Sequence, residues 1–284
     1  MKDISFIDES FDSGITSTYQ LSVQFGPRTF AYAVLDTIRM KYIAFRSSWL
    51  GTPVKPENQS EHLSHLLHSE PFLLRNYKSV RMMLQNPGAL LIPESLFDPD
   101  HASDYFSGSV PPAGNEKIVA TRLISCDACL LFCIREDIRH QALALLNDVK
   151  ITHQSVPLIE SALRASDTFG SADQLHVNIT PGSADLVLVK SGQLILYNSY
   201  PLRSDEDLVY FILRLYDQFN LSQEETPLII SGWPDLYTSV KQILPGYIRS
   251  IRLKEFDKSY LYSERFADVI QHSYANLINL ALCG

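Results

Sequence analysis

Residues 174–200 read QLHVNITPGSADLVLVKSGQLILYNSY. The stretch holds three short runs rich in aliphatic and β-branched residues, 174–179, 185–190 and 193–200, and this composition is typical of β-strands. The dipeptides Pro181-Gly182 and Ser191-Gly192 separate the runs and are turn signals. Three successive strands with such tight connections predict an antiparallel meander.

A second meander is predicted near the start of the chain. Its strands are expected over residues 18–25, 29–36 and 41–46, with a turn at Gly26-Pro27. The 17 residues before it are punctuated by acidic residues, Ser and Gly, and we expect them to form an arm on the surface.

Each meander is followed by alternating helices and strands. In the second half, Ser204 and Asp207 form a capping pair at the start of a helix with apolar residues at helical spacing. The elements predicted after it are a strand over 227–231, a helix over 234–243, a strand over 247–253 and a closing helix over 266–282.

The first half has the same order with extra pieces. Its predicted elements are helices over 57–68, 136–146 and 155–164 and strands over 79–84, 89–92, 118–124 and 128–134. Internal duplication of one α/β unit is the simplest account. We therefore predict an α/β fold with two similar domains, residues 1–152 and 153–284. The helix over 155–164 would connect them, and the helix over 266–282 could pack back on the first.

Composition excludes several classes of protein. The 284 residues are 45% apolar and 20% charged, which indicates a globular chain long enough for two medium domains. A net charge of −8 repels phosphate backbones, so no nucleic-acid partner is predicted.

Residues 1–10 lack a secretory signal, and no apolar run approaches the roughly 20 residues of a membrane span. We expect a cytoplasmic protein, and four cysteines are too few for a disulfide scaffold.

The turn of the second meander carries the chemistry to be tested. Residues 178–187 are Asn-Ile-Thr-Pro-Gly-Ser-Ala-Asp-Leu-Val. They resemble the phosphate loop of the actin-like ATPases, a superfamily with a ribonuclease H-like fold, whose pattern is Asp-x-Gly-x-Gly-Thr-x-Asp. Gly182, Ser183 and Asp185 match that pattern, while Asn178 replaces the leading Asp. Thr180 and Pro181 fall where the family usually has Gly, and proline removes a backbone N–H that a phosphate nest needs.

Two other turns resemble the family less closely. In the first half, residues 24–28 are Gln-Phe-Gly-Pro-Arg, and only Gly26 matches, so the carboxylate expected to organise Mg²⁺ is absent. Residues 229–233, Ile-Ile-Ser-Gly-Trp, resemble the turn that contacts adenosine. Gly232 matches there, but Trp233 replaces a second glycine and is expected to fill the space of a nucleotide.

The chain as a whole resembles an uncharacterised bacterial family of unknown function with the actin-like ATPase fold. This family is distantly similar to pilus-assembly and cell-division actin homologues, and residues 19–23, 91–97 and 204–210 carry the resemblance. With three damaged loops, we predict a non-catalytic or weakly nucleotide-binding scaffold for protein partners, without cofactor or metal. The alternative is an active ATP-dependent phosphotransferase or ATPase. It would use ATP and Mg²⁺ at the degenerate loop positions Gly26, Gly182, Ser183, Asp185 and Gly232.

Two clusters of metal-ligand residue types are interpreted as structural. Cys126, Cys129 and Cys133 lack a fourth ligand at a sensible spacing, so buried thiols are favoured over a zinc or iron–sulfur site. The histidines at 62, 65 and 68 recur every three residues on one predicted helix, and a partly exposed polar face is favoured over a metal site.

The acidic triplet 205–207 is interpreted as charge that stabilises a helix N-terminus rather than as catalytic acid or base. The closing helix has an apolar stripe but no excess of Lys or Arg on its polar face, which favours docking on the protein's own core over membrane binding.

Overall fold

The computed structural model describes residues 3–106, 113–168 and 173–283. Its strands are β1 (Ile4–Ile7), β2 (Tyr19–Gly26), β3 (Thr29–Asp36), β4 (Lys41–Trp49), β5 (Ser79–Leu84), β6 (Ala89–Pro93), β7 (Glu116–Arg122), β8 (Ala128–Arg135), β9 (Val149–His153), β10 (Gln174–Thr180), β11 (Ser183–Lys190), β12 (Gln193–Pro201), β13 (Leu228–Gly232), β14 (Ile251–Leu253) and β15 (Leu261–Tyr262). Its α-helices are α1 (Gln59–His68), α2 (Glu136–Leu145), α3 (Ser155–Thr168), α4 (Asp205–Gln218), α5 (Ser239–Gln242) and α6 (Gln271–Asn279).

Two of the sheets share one topology. The first sheet has the order β1-β4-β3-β2-β5-β9, with β15 also on β4, and the second has the order β12-β11-β10-β13-β14. In each, an antiparallel meander is followed by two strands that run parallel to its first strand. The predicted α/β fold with a duplicated meander unit is therefore confirmed. The division of the chain into domains at residue 152 stays a prediction.

The extra pieces of the first half form a third sheet. It is antiparallel, with the order β6-β8-β7. Helix α3 packs on the second-sheet meander, and α6 lies against β13 of the second sheet and against β2 and β3 of the first. These two helices therefore join the halves of the molecule.

Two segments near the first sheet differ from the sequence-based expectation. Residues 4–7, which were expected to belong to a surface arm, form β1, which pairs antiparallel with β4. The reason is Phe6, which is buried and contacts the rings of Phe45 and Phe266. Strand β9 was not predicted because its five residues include an exposed lysine and lie between two helices, so tertiary pairing with β5 decides it.

The predicted closing helix over 266–282 is wrong as a continuous element. The chain forms a 3-10 turn at Glu264–Asp268, is extended at Val269 and Ile270, and becomes α-helical only in α6. Phe266 contacts the rings of Tyr42 and Phe45, and this aromatic packing holds it in the turn. At the other end of α6, the Tyr42 hydroxyl donates to the Ile278 carbonyl at 2.8 Å.

The elements predicted over 234–243 and 247–253 are also shorter than expected. Residues 234–243 form a 3-10 turn followed by the single turn α5. A further 3-10 turn, Leu244–Gly246, delays the strand predicted over 247–253, which forms only as β14. Proline and glycine at 245 and 246 interrupt both regular patterns, which shortens the elements on either side.

In the part of the chain that the structure describes, no helix is both long enough and apolar enough to cross a membrane.

Candidate functional site

The two meander turns meet at a narrow cleft. Because both sheets have the same topology, the β2–β3 turn and the β10–β11 turn lie on corresponding edges. They enclose a cavity of about 230 Å³. Its lining includes four prolines, one from each meander turn and two from loops of the first half: Pro27, Pro53, Pro87 and Pro181. The remaining lining residues are polar: Arg28, Thr29, Gln85, Asn86, Thr180 and Ser183.

The β10–β11 turn already uses its hydrogen-bonding groups inside the protein. Gly182 has a φ of +84°, which suits glycine, and its N–H donates to the Tyr237 hydroxyl at 3.1 Å. That hydroxyl in turn lies 3.4 Å from the Thr180 carbonyl, to which it donates. The hydroxyls of Thr180 and Ser183 are 2.7 Å apart. The free donor that the loop would offer a phosphate is therefore bonded to Tyr237.

Asp185 lies directly below this turn and has no solvent exposure. Its carboxylate accepts from the Gln154 side-chain amide at 2.7 Å and from the Tyr197 hydroxyl at 3.1 Å. Burial raises the pKa of Asp185, and the nearby His153 opposes this rise. The carboxylate thus faces an internal hydrogen-bond network, and a ligand in the cleft cannot contact it without a rearrangement.

The network continues at the carboxyl end of β9. His153 is fully buried, and its Nε2 donates to the Asn86 carbonyl at 2.8 Å. Its Nδ1 lies 2.7 Å from the Ser155 hydroxyl and accepts from the Ser155 N–H. Burial lowers the pKa of His153, in keeping with a neutral ring. Sequence reasoning missed His153 and Gln154 because it missed β9, although Ser155 at a helix start was an available signal.

The glycines Gly26 and Gly232 are required by packing. A Cβ on Gly26 would lie 2.8 Å from the Cβ of Gln85. Gly232 has a φ of +81°, and a Cβ there would lie 2.0 Å from the Ile179 carbonyl oxygen. The next N–H, of Trp233, donates to that same oxygen at 2.9 Å. Gly232 therefore allows β13 to end against β10, whether or not a ligand is bound.

Trp233 fills space between the two halves of the molecule. Its side chain is buried, and its ring lies 5.3 Å from that of Trp49, at the end of β4, with an angle of 58° between the planes. Its indole Nε1 is buried without a hydrogen-bond partner in the structure. The two tryptophans thus connect the first sheet to the turn that the sequence predicted beside adenosine.

None of the cysteines and histidines of the two clusters is in the described lining of the cleft, but the Cys133 carbonyl accepts from the side-chain amide of Asn86, which lines it. Cys126 precedes β8, and burial raises its pKa to about 11. Cys129 and Cys133 lie on β8, where burial also raises their pKa values. His68, on α1, contacts the Ser64 carbonyl through Nδ1 at 2.8 Å. Within residues 3–106, 113–168 and 173–283, no three His, Cys, Asp or Glu side chains are grouped so as to hold a metal ion.

The acidic triplet makes structural contacts. Asp207 accepts from the Ser204 N–H at 3.0 Å and the Arg203 N–H at 2.7 Å, which caps α4. Asp205 accepts from the Ser239 N–H at 2.9 Å and so ties α4 to α5. This tie positions the segment that carries Tyr237 over the β10–β11 turn.

Comparison with known proteins identifies the architecture. The family model described as "Protein of unknown function (DUF3822)" matches residues 8–251. A Bacteroides thetaiotaomicron protein with an actin-like ATPase fold and unknown function is 22% identical, with a TM-score of 0.74 over 86% of this chain and 93% of that chain. No curated protein matches the sequence.

Two further solved structures share the fold at lower identity. A chain of the PilM–PilN type IV pilus biogenesis complex is 11% identical, with a TM-score of 0.59 over 93% of this chain and 97% of that one. The ethanolamine utilization protein EutJ from Carboxydothermus hydrogenoformans is 10% identical, with a TM-score of 0.51 over 94% and 90%. The predicted actin-like ATPase fold is confirmed, and at these identities the likeness extends to the fold alone.

Proposed function

Since the chain belongs to the DUF3822 family of proteins of unknown function, we propose from its own residues that it is a scaffold for a protein partner that does not turn over ATP. The observation that carries this proposal is the hydrogen bond between the Gly182 N–H and the Tyr237 hydroxyl. In this bond the Tyr237 hydroxyl occupies the position from which a phosphate oxygen would accept the Gly182 N–H.

The shape of the cleft supports the same proposal. Phosphate loops bind through successive backbone N–H groups, and the prolines at 27 and 181 remove one from each meander turn. The cavity of about 230 Å³ continues into an adjoining pocket of about 400 Å³, with which it shares Pro27, Gln85, Asn86 and Pro87. A phosphate group at the β10–β11 turn would have to displace Tyr237 from the Gly182 N–H.

A partner-binding use of this frame has support from one structural neighbour. The chain with a TM-score of 0.59 belongs to a complex, PilM–PilN, that acts in type IV pilus biogenesis. We propose by analogy that the present protein also uses the actin-like frame to hold another protein, and that this binding needs no ATP.

The second candidate is an ATP-dependent phosphotransferase or ATPase. It is favoured by the placement of Asp185 and Gln154 together under the β10–β11 turn. In that case Asp185 would organise Mg²⁺ or water, and Gly26, Gly182, Ser183 and Gly232 would line the nucleotide once Tyr237 had moved.

Thermal melting with ATP and Mg²⁺ separates the two candidates. A ligand at 100 times its Kd stabilises a protein by about 2.7 kcal/mol, which is readily seen as a rise in Tm. We expect no rise at millimolar ATP for the wild type or for Tyr237→Phe, which frees the Gly182 N–H. A rise confined to Tyr237→Phe would show an intact site held shut by the tyrosine. Mg²⁺-dependent turnover that is lost in Asp185→Ala would overturn the scaffold.

A further inference from the structure

A second pocket, separate from the cleft, lies where β5 and β9 meet β7, α3 and the C-terminal turn. Its volume is about 370 Å³, which falls within the general range for small-molecule sites. It differs from the cleft in the character of its lining, which combines basic side chains with apolar ones.

Two cations of its lining lie on neighbouring strands. Arg81 on β5 and Lys150 on β9 are paired in register, so both side chains project from the same face of the first sheet. Like charges on neighbouring strands of one face repel each other. Within the described part of the chain neither forms an ion pair with a carboxylate.

The guanidinium of Arg81 is only partly satisfied by the protein. One terminal nitrogen donates to the carbonyls of Leu280 and Ala281 at 3.1 and 2.7 Å. Its Nε is buried and has no hydrogen-bond partner in the structure. Burial also lowers the pKa of Arg81, which reflects the cost of an incompletely compensated charge.

Among the described residues, the single carboxylate in the lining forms no ion pair with either cation. Glu160 on α3 is buried, and its two oxygens accept from the N–H groups of Ile124 and Ser125 and from the Ser125 hydroxyl. Arg122, at the rim, is already paired with Glu94 at 3.0 Å. An oxyanion from outside would therefore be the missing partner of Arg81 and Lys150.

The rest of the lining indicates what the oxyanion is attached to. Ile124, Ile151, Val156 and Leu280 contribute apolar surface around the two cations. The edges of β7 and β9 approach closely, with the hydroxyls of Thr121 and Thr152 3.4 Å apart, so an inserted β-strand does not fit between them there. We infer that this pocket binds a carboxylate that carries an apolar group, either a free organic acid or the C-terminal residue of another protein.

This inference does not depend on the proposed function, because none of the pocket residues lines the cleft. Titration calorimetry with octanoate, and with a short peptide ending in leucine as the free acid or the amide, tests it. We expect saturable binding of octanoate or of the free-acid peptide. The amide and 1-octanol should bind at least about tenfold more weakly, because a charge-assisted contact is lost.

Lys150→Gln is the decisive variant, since Lys150 is exposed enough to be replaced without harm to the fold. It should weaken binding by about tenfold or more. The matched control Lys117→Gln removes the same charge from an exposed position on β7 outside the lining and should leave the Kd unchanged. Without ligand, Lys150→Gln should melt at or above the wild-type temperature because the like-charge pair is gone. Absence of saturable binding, or equal binding by Lys150→Gln, would overturn the inference.

Discussion

Replacing Gly232 with alanine should destabilise the protein strongly because both its backbone conformation and its packing require glycine. The residue has a φ of +81°, and the left-handed region costs a residue with a side chain about 1–2 kcal/mol. The new Cβ would also lie 2.0 Å from the Ile179 carbonyl oxygen, a distance that the backbone cannot tolerate.

The second cost follows from how the clash is relieved. If β13 moves away from β10, the hydrogen bond from the Trp233 N–H to Ile179 is broken inside the protein. Leaving a buried backbone group unpaired costs about 1–3 kcal/mol. The sum is a loss of about 2–5 kcal/mol in the free energy of unfolding, a large share of the stability of an average domain.

Gly88→Ala is the matched control for this experiment. Gly88 has a φ of +85°, but nothing lies within 4 Å of its added Cβ, so only the conformational cost of about 1–2 kcal/mol applies. Urea unfolding followed by circular dichroism gives both values. A difference between the two variants below about 0.5 kcal/mol, the limit of additivity, would refute a packing role for Gly232.

Three further predictions concern the buried polar network and the tryptophan pair. Because burial raises the pKa of Asp185 above its ordinary 3.8, ionisation destabilises the fold as pH rises. Asp185→Asn should therefore raise the Tm at pH 7, and the rise should be smaller toward pH 4. The Gln154 Oε1 has no partner in the structure, and after a flip of the Gln154 amide it can accept from the new asparagine amide. The pKa of His176 is lowered well below 6.5, first by burial, so below that pH its unfolded form takes up the proton. The free energy of unfolding should then fall by about 1.4 kcal/mol for each unit by which the pH drops below 6.5. His176→Gln should remove this part of the pH dependence, as measured by denaturant unfolding at a series of pH values. Trp233→Ala should cost about 3–5 kcal/mol, and a double-mutant cycle with Trp49→Ala should give a coupling of about 0.5–1.5 kcal/mol.

Each of these predictions has an outcome that contradicts it. A lower Tm for Asp185→Asn at pH 7 would mean that the ionised carboxylate stabilises the fold. An unchanged pH slope in His176→Gln would show that other groups cause the acid sensitivity. Additive tryptophan variants would show that the two rings do not interact.

The sequence by itself determined the secondary structure that repeats. The meanders were predictable because their strands are short, β-branched and bounded by turns such as Pro181-Gly182, all of which are local signals. The missing backbone N–H groups at Pro27 and Pro181 were also readable, since a proline has no N–H in any context. These features depend on residues that are neighbours in the chain.

Tertiary structure alone decided what depends on distant neighbours. Strand β9 and the break before α6 arise from pairing and aromatic packing with segments more than 60 residues away, which no local pattern encodes. The same holds at the candidate site. The hydrogen bond between Tyr237 and Gly182 depends on the contact that ties α4 to α5. The pairing of Arg81 with Lys150 depends on the register of the first sheet. Hydrogen bonds and charge pairs form between groups that folding brings into contact, and a sequence gives their identity but not their distance.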